Sequence, residues 1–181
     1  MSPPRYLPEV PLPPSAYVPG RTPHPNQAGR RPESPPPLSP ALWQDSRAYL
    51  RGLDLFNHGL YWEAHEEWEG LWHAAGRRGT AADFLKGLIK LAAAGVKVRE
   101  GRADGVVSHA RRAADLFRQT AAALGEEATY LGLGLRDLLD FSRAAEAQAA
   151  AAGPDHAPGP RVVFDFVLRL AGGGCPDSPR A

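Results

Sequence analysis

The sequence predicts an all-α fold, a compact bundle of about five helices preceded by a Pro-rich extended N-terminal arm. Proline placement is the first observation. Of 19 prolines, 14 fall in residues 1–40 and none between Ala41 and Gly153. Proline removes a backbone donor and fixes φ, so this split separates a non-helical arm from a helix-permissive body. The second is period: apolar residues of the body recur at three- and four-residue steps. The third is that nothing in the body reads as a β-sheet. The 181 residues suit one domain. The expected division is a disordered or strap-like arm over 1–40, a helical domain over 41–172 and a flexible tail over 173–181.

The arm has few aliphatic residues and is expected to be extended or disordered. Within it Tyr17–Pro25, with two apolar residues, a turn signal and His24 between prolines, reads either as linker or as a strap across the body. Helix one is expected over Leu42–His58, from Leu42, Trp43, Tyr49, Leu50, Leu53 and Phe56, with Gly59 as its stop. Helix two covers Tyr61–Ala75 and ends at Gly76. Helix three starts after Thr80, where Asp83 completes a capping-box-like pair, and ends at Gly101. Helix four is expected over Ala103–Leu124 and helix five over Leu135–Ala151. Leu-Gly-Leu-Gly-Leu between them reads as a turn. Short connections make sequential helices antiparallel neighbours. Ala92-Ala93-Ala94-Gly95 admits a close neighbour, either the Trp-rich helix or the same helix of a second subunit, so a homo-oligomer is one expectation. After the Gly153–Pro160 break, Val162–Leu170 alternates in part, like an extended segment laid on the bundle; a short helical turn is the alternative.

Composition excludes several functional classes. A net charge of +1 and a pI near 8.0 supply no global field for nucleic acid or an anionic membrane. Arg99, Arg102, His109, Arg111 and Arg112 form a basic stretch without the interleaved aromatics that stack on bases. No apolar run approaches a membrane span and no secretory h-region is visible. The single cysteine, Cys175, rules out an intramolecular disulfide and a Cys-based metal site. A cytoplasmic protein with neither membrane nor nucleic acid as partner is the expectation.

One stretch concentrates chemistry. Tyr61–Trp72 reads YWEAHEEWEGLW and holds three of the four Trp, one His and four Glu. At about 100° per residue, His65 falls inside the stripe of Tyr61, Trp68 and Trp72, with Glu69 one turn along and Glu66 at the border. Glu63 and Glu67 fall on the other side and read as solvated charges. His65 and Glu69 are i,i+4 partners whose side chains can meet. One reading is a buried His–Glu clasp that orders the bundle. The other is a metal site or acid/base pair, since imidazole nitrogen and carboxylate oxygen can ligate one divalent ion. Further ligands would come from Glu66, His58, His73, another helix, His24 or a second subunit. The sequence lacks the second His of H-E-x-x-H and the Glu-x-x-His of di-iron bundles.

Phe56-Asn57-His58-Gly59-Leu60-Tyr61-Trp62-Glu63-Ala64-His65-Glu66, with His65-x-x-x-Glu69-x-x-Trp72, resembles the signature of the family called domain of unknown function 309. Gly87–Ala94 resembles that family's following helix in character, so the resemblance spans roughly Asp45–Leu124. It implies a compact all-helical domain with no established activity, in which His65 and Glu69 are candidate metal ligands and Trp72 their neighbour. Lys90 is then the cation that would either pair with Glu69 or compete with a metal. Two functions follow: a metal-binding protein or metal-dependent enzyme centred on His65 and Glu69, or a non-enzymatic helical interaction module with an architectural His65–Glu69 pair.

Overall fold

In a computed structural model, which describes residues 2–22, 34–153 and 157–171, the first helix opens where sequence chemistry favours it. The Ser46 hydroxyl accepts the Tyr49 N–H at 3.4 Å and caps α1, Arg47–Asn57. The residues before it, Trp43–Asp45, form a separate 3-10 turn, so helix one is shorter than its apolar pattern suggested. α2 spans Tyr61–Ala74, α3 Thr80–Glu100, α4 Ala103–Leu124 and α5 Leu135–Ala147, followed by a 3-10 turn over Gln148–Ala151. Thr80 is the first helical residue of α3 and not its cap; Gly79, at φ 90°, precedes it without a side-chain bond. Between α4 and α5, Thr129–Tyr130 pairs antiparallel with Leu133–Gly134, a minimal hairpin that the helical pattern gave no reason to expect. Its turn residues Leu131 and Gly132 have φ of 48° and 78°.

The five helices form a bundle with α3 at its centre, packed on α2 and α4, while α1 covers α2 and α5 covers α4. Leu85, Leu88, Leu91, Phe84 and Ala92 of α3 are fully buried, each large side chain contributing about 1.5–3 kcal/mol by leaving water. The Ala-Ala-Ala-Gly stretch accepts the Trp-rich helix: a Cβ on Gly95 would lie 2.6 Å from the Tyr61 ring. Among the described residues no helix is long and apolar enough to cross a membrane.

Two non-helical segments lie on this bundle and meet each other. From the N-terminal side, the buried Asp54 carboxylate accepts the Tyr6 N–H at 2.7 Å, the Leu7 N–H at 2.9 Å and Arg5 Nε at 3.2 Å. Leu7, Ala16, Val18 and Leu38 are buried. From the C-terminal side, residues 157–171 run without helix across α1 and α2, burying Phe164 and Leu168. The Ala16 N–H donates to Pro158 O at 2.8 Å, and Tyr6 Oη bonds to Leu168 O and the Leu170 N–H, which joins the two segments directly. Arg99, which the sequence places in a basic stretch, is buried and donates to Ala157 O and Gly159 O at 2.8 and 3.0 Å. His24, the rest of the 23–33 stretch and Cys175 lie outside the described residues.

Candidate metal centre

The signature that crosses α1 and α2 divides into two working halves. The first half fastens the C-terminal segment. Asn57 is buried and exchanges two 2.9 Å hydrogen bonds with Leu168, Nδ2 donating to the carbonyl and Oδ1 accepting the N–H. Gly59 has φ 77°, and a Cβ there would stand 2.2 Å from the Arg161 backbone, so the residue must be glycine on both counts. Tyr61 Oη accepts the Val163 N–H at 3.0 Å, and burial of that phenol pushes its pKa up to about 12. The sequence had singled out these residues only as a signature. Their task depends on a segment more than 100 residues away, and no local pattern announces it.

The second half presents polar groups at the surface. Trp68 turns fully inward and donates Nε1–H to Tyr49 O at 3.3 Å, while Ala64 and Leu71 complete the buried stripe. Trp62 is half-buried with its ring edge-on to Tyr17 at 4.7 Å. Trp72 is also half-buried and carries Lys86 Nζ over its ring at 3.7 Å and the Arg77 guanidinium at 5.3 Å. The three indoles therefore share one helix but not one environment.

His65, Glu66 and Glu69 are all half-buried, and each offers a ligand atom within 4.8 Å of the others. The expected i,i+4 clasp is not what they form. His65 Nδ1 approaches Glu66 Oε1 at 3.4 Å and is out of line for a hydrogen bond, so this buried nitrogen has no hydrogen-bond partner. With its side chain 26% exposed, His65 sits at the edge of the aromatic stripe and not within a sealed core. Among the described residues no other His, Cys, Asp or Glu joins the group. His58 Nδ1 is committed to Asp54 O at 2.7 Å, and His73 Nδ1 accepts Arg77 Nε at 3.0 Å. Glu66 and Glu69 also line a groove of about 990 Å³ between α1, α2 and the arm, shared with Arg47, Arg51 and His73.

Glu63 and Glu67 are not the solvated charges their position on the wheel suggested. Glu63 accepts the Tyr17 N–H at 2.7 Å, yet burial raises its pKa, and its Oε2 is buried without a partner. Burial raises Glu67 likewise, partly offset by Arg51. The arm covers part of α2 at Tyr17, which a wheel drawn for an isolated helix cannot register. Lys90 and Glu69 form no ion pair. Lys90 instead contributes, after burial, to lowering the pKa of His109 on α4, along with Lys97 and His65; Glu100 opposes them. His109 was read from sequence only as part of a basic stretch, and its approach to His65 is a product of helix packing.

Residues 49–109 match the family described as Domain of unknown function (DUF309), the family that the signature resembles. The match covers about a third of the chain, from Tyr49 in α1 to His109 in α4, and includes His65, Glu66, Glu69, Trp72 and Lys90. No curated protein matches the chain.

Proposed function

We propose that the chain binds one divalent metal ion through His65 Nδ1 and the carboxylates of Glu66 and Glu69. The observation that carries this reading is the His65 nitrogen, buried and unbonded, with two carboxylates within ligating reach. A buried polar atom without a partner costs about 1–3 kcal/mol, and a metal–nitrogen bond would remove that cost. One nitrogen and two carboxylate oxygens suit Mn²⁺, Fe²⁺ or Zn²⁺ better than a soft ion. Two carboxylates balance the charge of a divalent ion, and three protein ligands leave coordination positions open, the arrangement of reactive and not of purely structural sites. A divalent ion so held supplies Lewis acidity and lowers the pKa of bound water.

The remaining work falls to the chain itself. Helix α2 fixes all three donors on one rigid element, anchored inward by Trp68 and at its start by Tyr61. The groove beside Glu66 and Glu69 gives a small molecule access. Lys90, unpaired with Glu69, leaves that carboxylate available.

Elemental analysis of the purified chain after dialysis against Zn²⁺ and, separately, Mn²⁺ tests the reading. One equivalent in the parent and less than a tenth in His65→Ala and in Glu69→Gln is expected. Sub-stoichiometric metal in the parent under both ions would overturn it.

A further inference from the structure

Among the described residues, the cations beside this centre are not neutralised by ion pairs with carboxylates. Lys86 and Lys90 stand one turn apart on α3, and both are half-buried. Like charges at that spacing repel each other, and burial adds to the cost of each. Among the described residues neither ammonium is matched by a carboxylate in an ion pair, unlike Lys97, which holds Glu100 at 2.6 Å on the same helix. Lys86 is drawn over Trp72 at 3.7 Å, and Arg77 approaches the same ring. Burial, then Lys90, lowers the Lys86 pKa, with Arg77 acting the same way and Glu69 against them. Glu69 is thus an acid within electrostatic reach of Lys86, and it is also a candidate ligand. Once Glu66 and Glu69 balance a divalent ion, Lys86, Lys90 and Arg77 remain as an excess of positive charge beside an open coordination sphere.

We infer that this face between α2 and α3 binds a phosphate dianion, drawing on Lys86 and Lys90 together with the ion at His65, Glu66 and Glu69; the inference rests on the metal reading above. Lysine binds phosphate as a compact point charge with three donors, and a phosphate oxygen is a hard ligand suited to the same ion. A dianion answers the excess charge more fully than a carboxylate does. The half-exposed Trp72 ring beside Lys86 offers an apolar surface for the organic part of a phosphate ester.

The test is calorimetric titration of inorganic phosphate, and separately of phenyl phosphate, into the full chain loaded with Mn²⁺. The comparison is Lys86→Gln/Lys90→Gln, with Mn²⁺ stoichiometry measured on both. Saturable binding of one phosphate is expected in the parent, weakened at least tenfold in the double variant at unchanged Mn²⁺ content. Tighter binding of phenyl phosphate identifies an ester as the occupant, and tighter binding of inorganic phosphate identifies the free ion. Mn²⁺ uptake without phosphate binding, or equal phosphate affinity in the two proteins, overturns this inference alone. Failure of the parent to take up Mn²⁺ overturns the metal reading and this inference with it.

Discussion

Replacing Asn57 with alanine isolates the clip that fastens residues 157–171. Asn57 makes two hydrogen bonds of 2.9 Å with the Leu168 backbone, and all groups involved are buried. After the substitution the Leu168 carbonyl keeps Tyr6 Oη, which donates to it at 3.2 Å. The Leu168 N–H keeps nothing, and an orphaned buried donor costs about 1–3 kcal/mol. With the lost amide packing, the total should be about 2–3 kcal/mol. For a urea slope of about 2 kcal/mol per molar, the midpoint should fall by about 1 M with the slope unchanged. Asn57→Asp retains the acceptor but turns a buried charge toward a carbonyl, so its loss should be larger. Limited proteolysis should cut within 157–171 faster in both variants. A midpoint shift below about 0.2 M in Asn57→Ala, with unchanged proteolysis, would refute the assignment of the clip.

The indoles of α2 should separate cleanly in the same assay. Trp68→Ala should cost about 3–5 kcal/mol, because the ring is fully buried. Trp72→Ala should cost only about 1 kcal/mol, the scale of an exposed cation–π contact. In an NMR titration without metal, His109 should titrate below the ordinary imidazole range, and Lys97→Gln should raise it. Because the folded state resists protonation of this ring, its stability contribution is full above the ordinary value and is lost as pH falls from there through the depressed one. His109→Gln should therefore flatten stability across that window. Gly95→Ala should destabilise the chain by about 1–3 kcal/mol by driving a methyl against the Tyr61 ring, measured by the same urea midpoint.

The five helices could be read from the sequence because each has an amphipathic stripe bounded by glycine, as at Gly59 and Gly101. That is a local signal, and it survives folding. The candidate ligands were readable for a related reason: His65 and Glu69 stand a turn apart on one helix. Glu66 was placed at the border and proves to be the acid nearest to His65. What could not be read depends on contacts distant in sequence. Asp54 and Asn57 lie on α1 as polar interruptions, and only the returning N- and C-terminal segments explain them. Arg99 reads in the sequence only as one member of a basic stretch, whereas two carbonyls beyond residue 150 hold it in the interior. Glu63 was assigned to solvent because a wheel for a lone helix omits the arm that covers it at Tyr17. The Thr129–Gly134 hairpin escaped because two residues per strand are too few to display a period.

Whether His65, Glu66 and Glu69 hold a divalent ion is read from thermal melts of parent and His65→Ala with Mn²⁺ or Zn²⁺ and with chelator. An ion binding only the folded chain at about 100 times its Kd adds about 2.7 kcal/mol. For a chain of this size that raises the Tm by about 5–10 °C. Such a rise is expected in the parent, with its reversal by chelator and no response to either in His65→Ala. A parent whose Tm is the same with ion and with chelator, or a His65→Ala variant that gains as much as the parent, would contradict it.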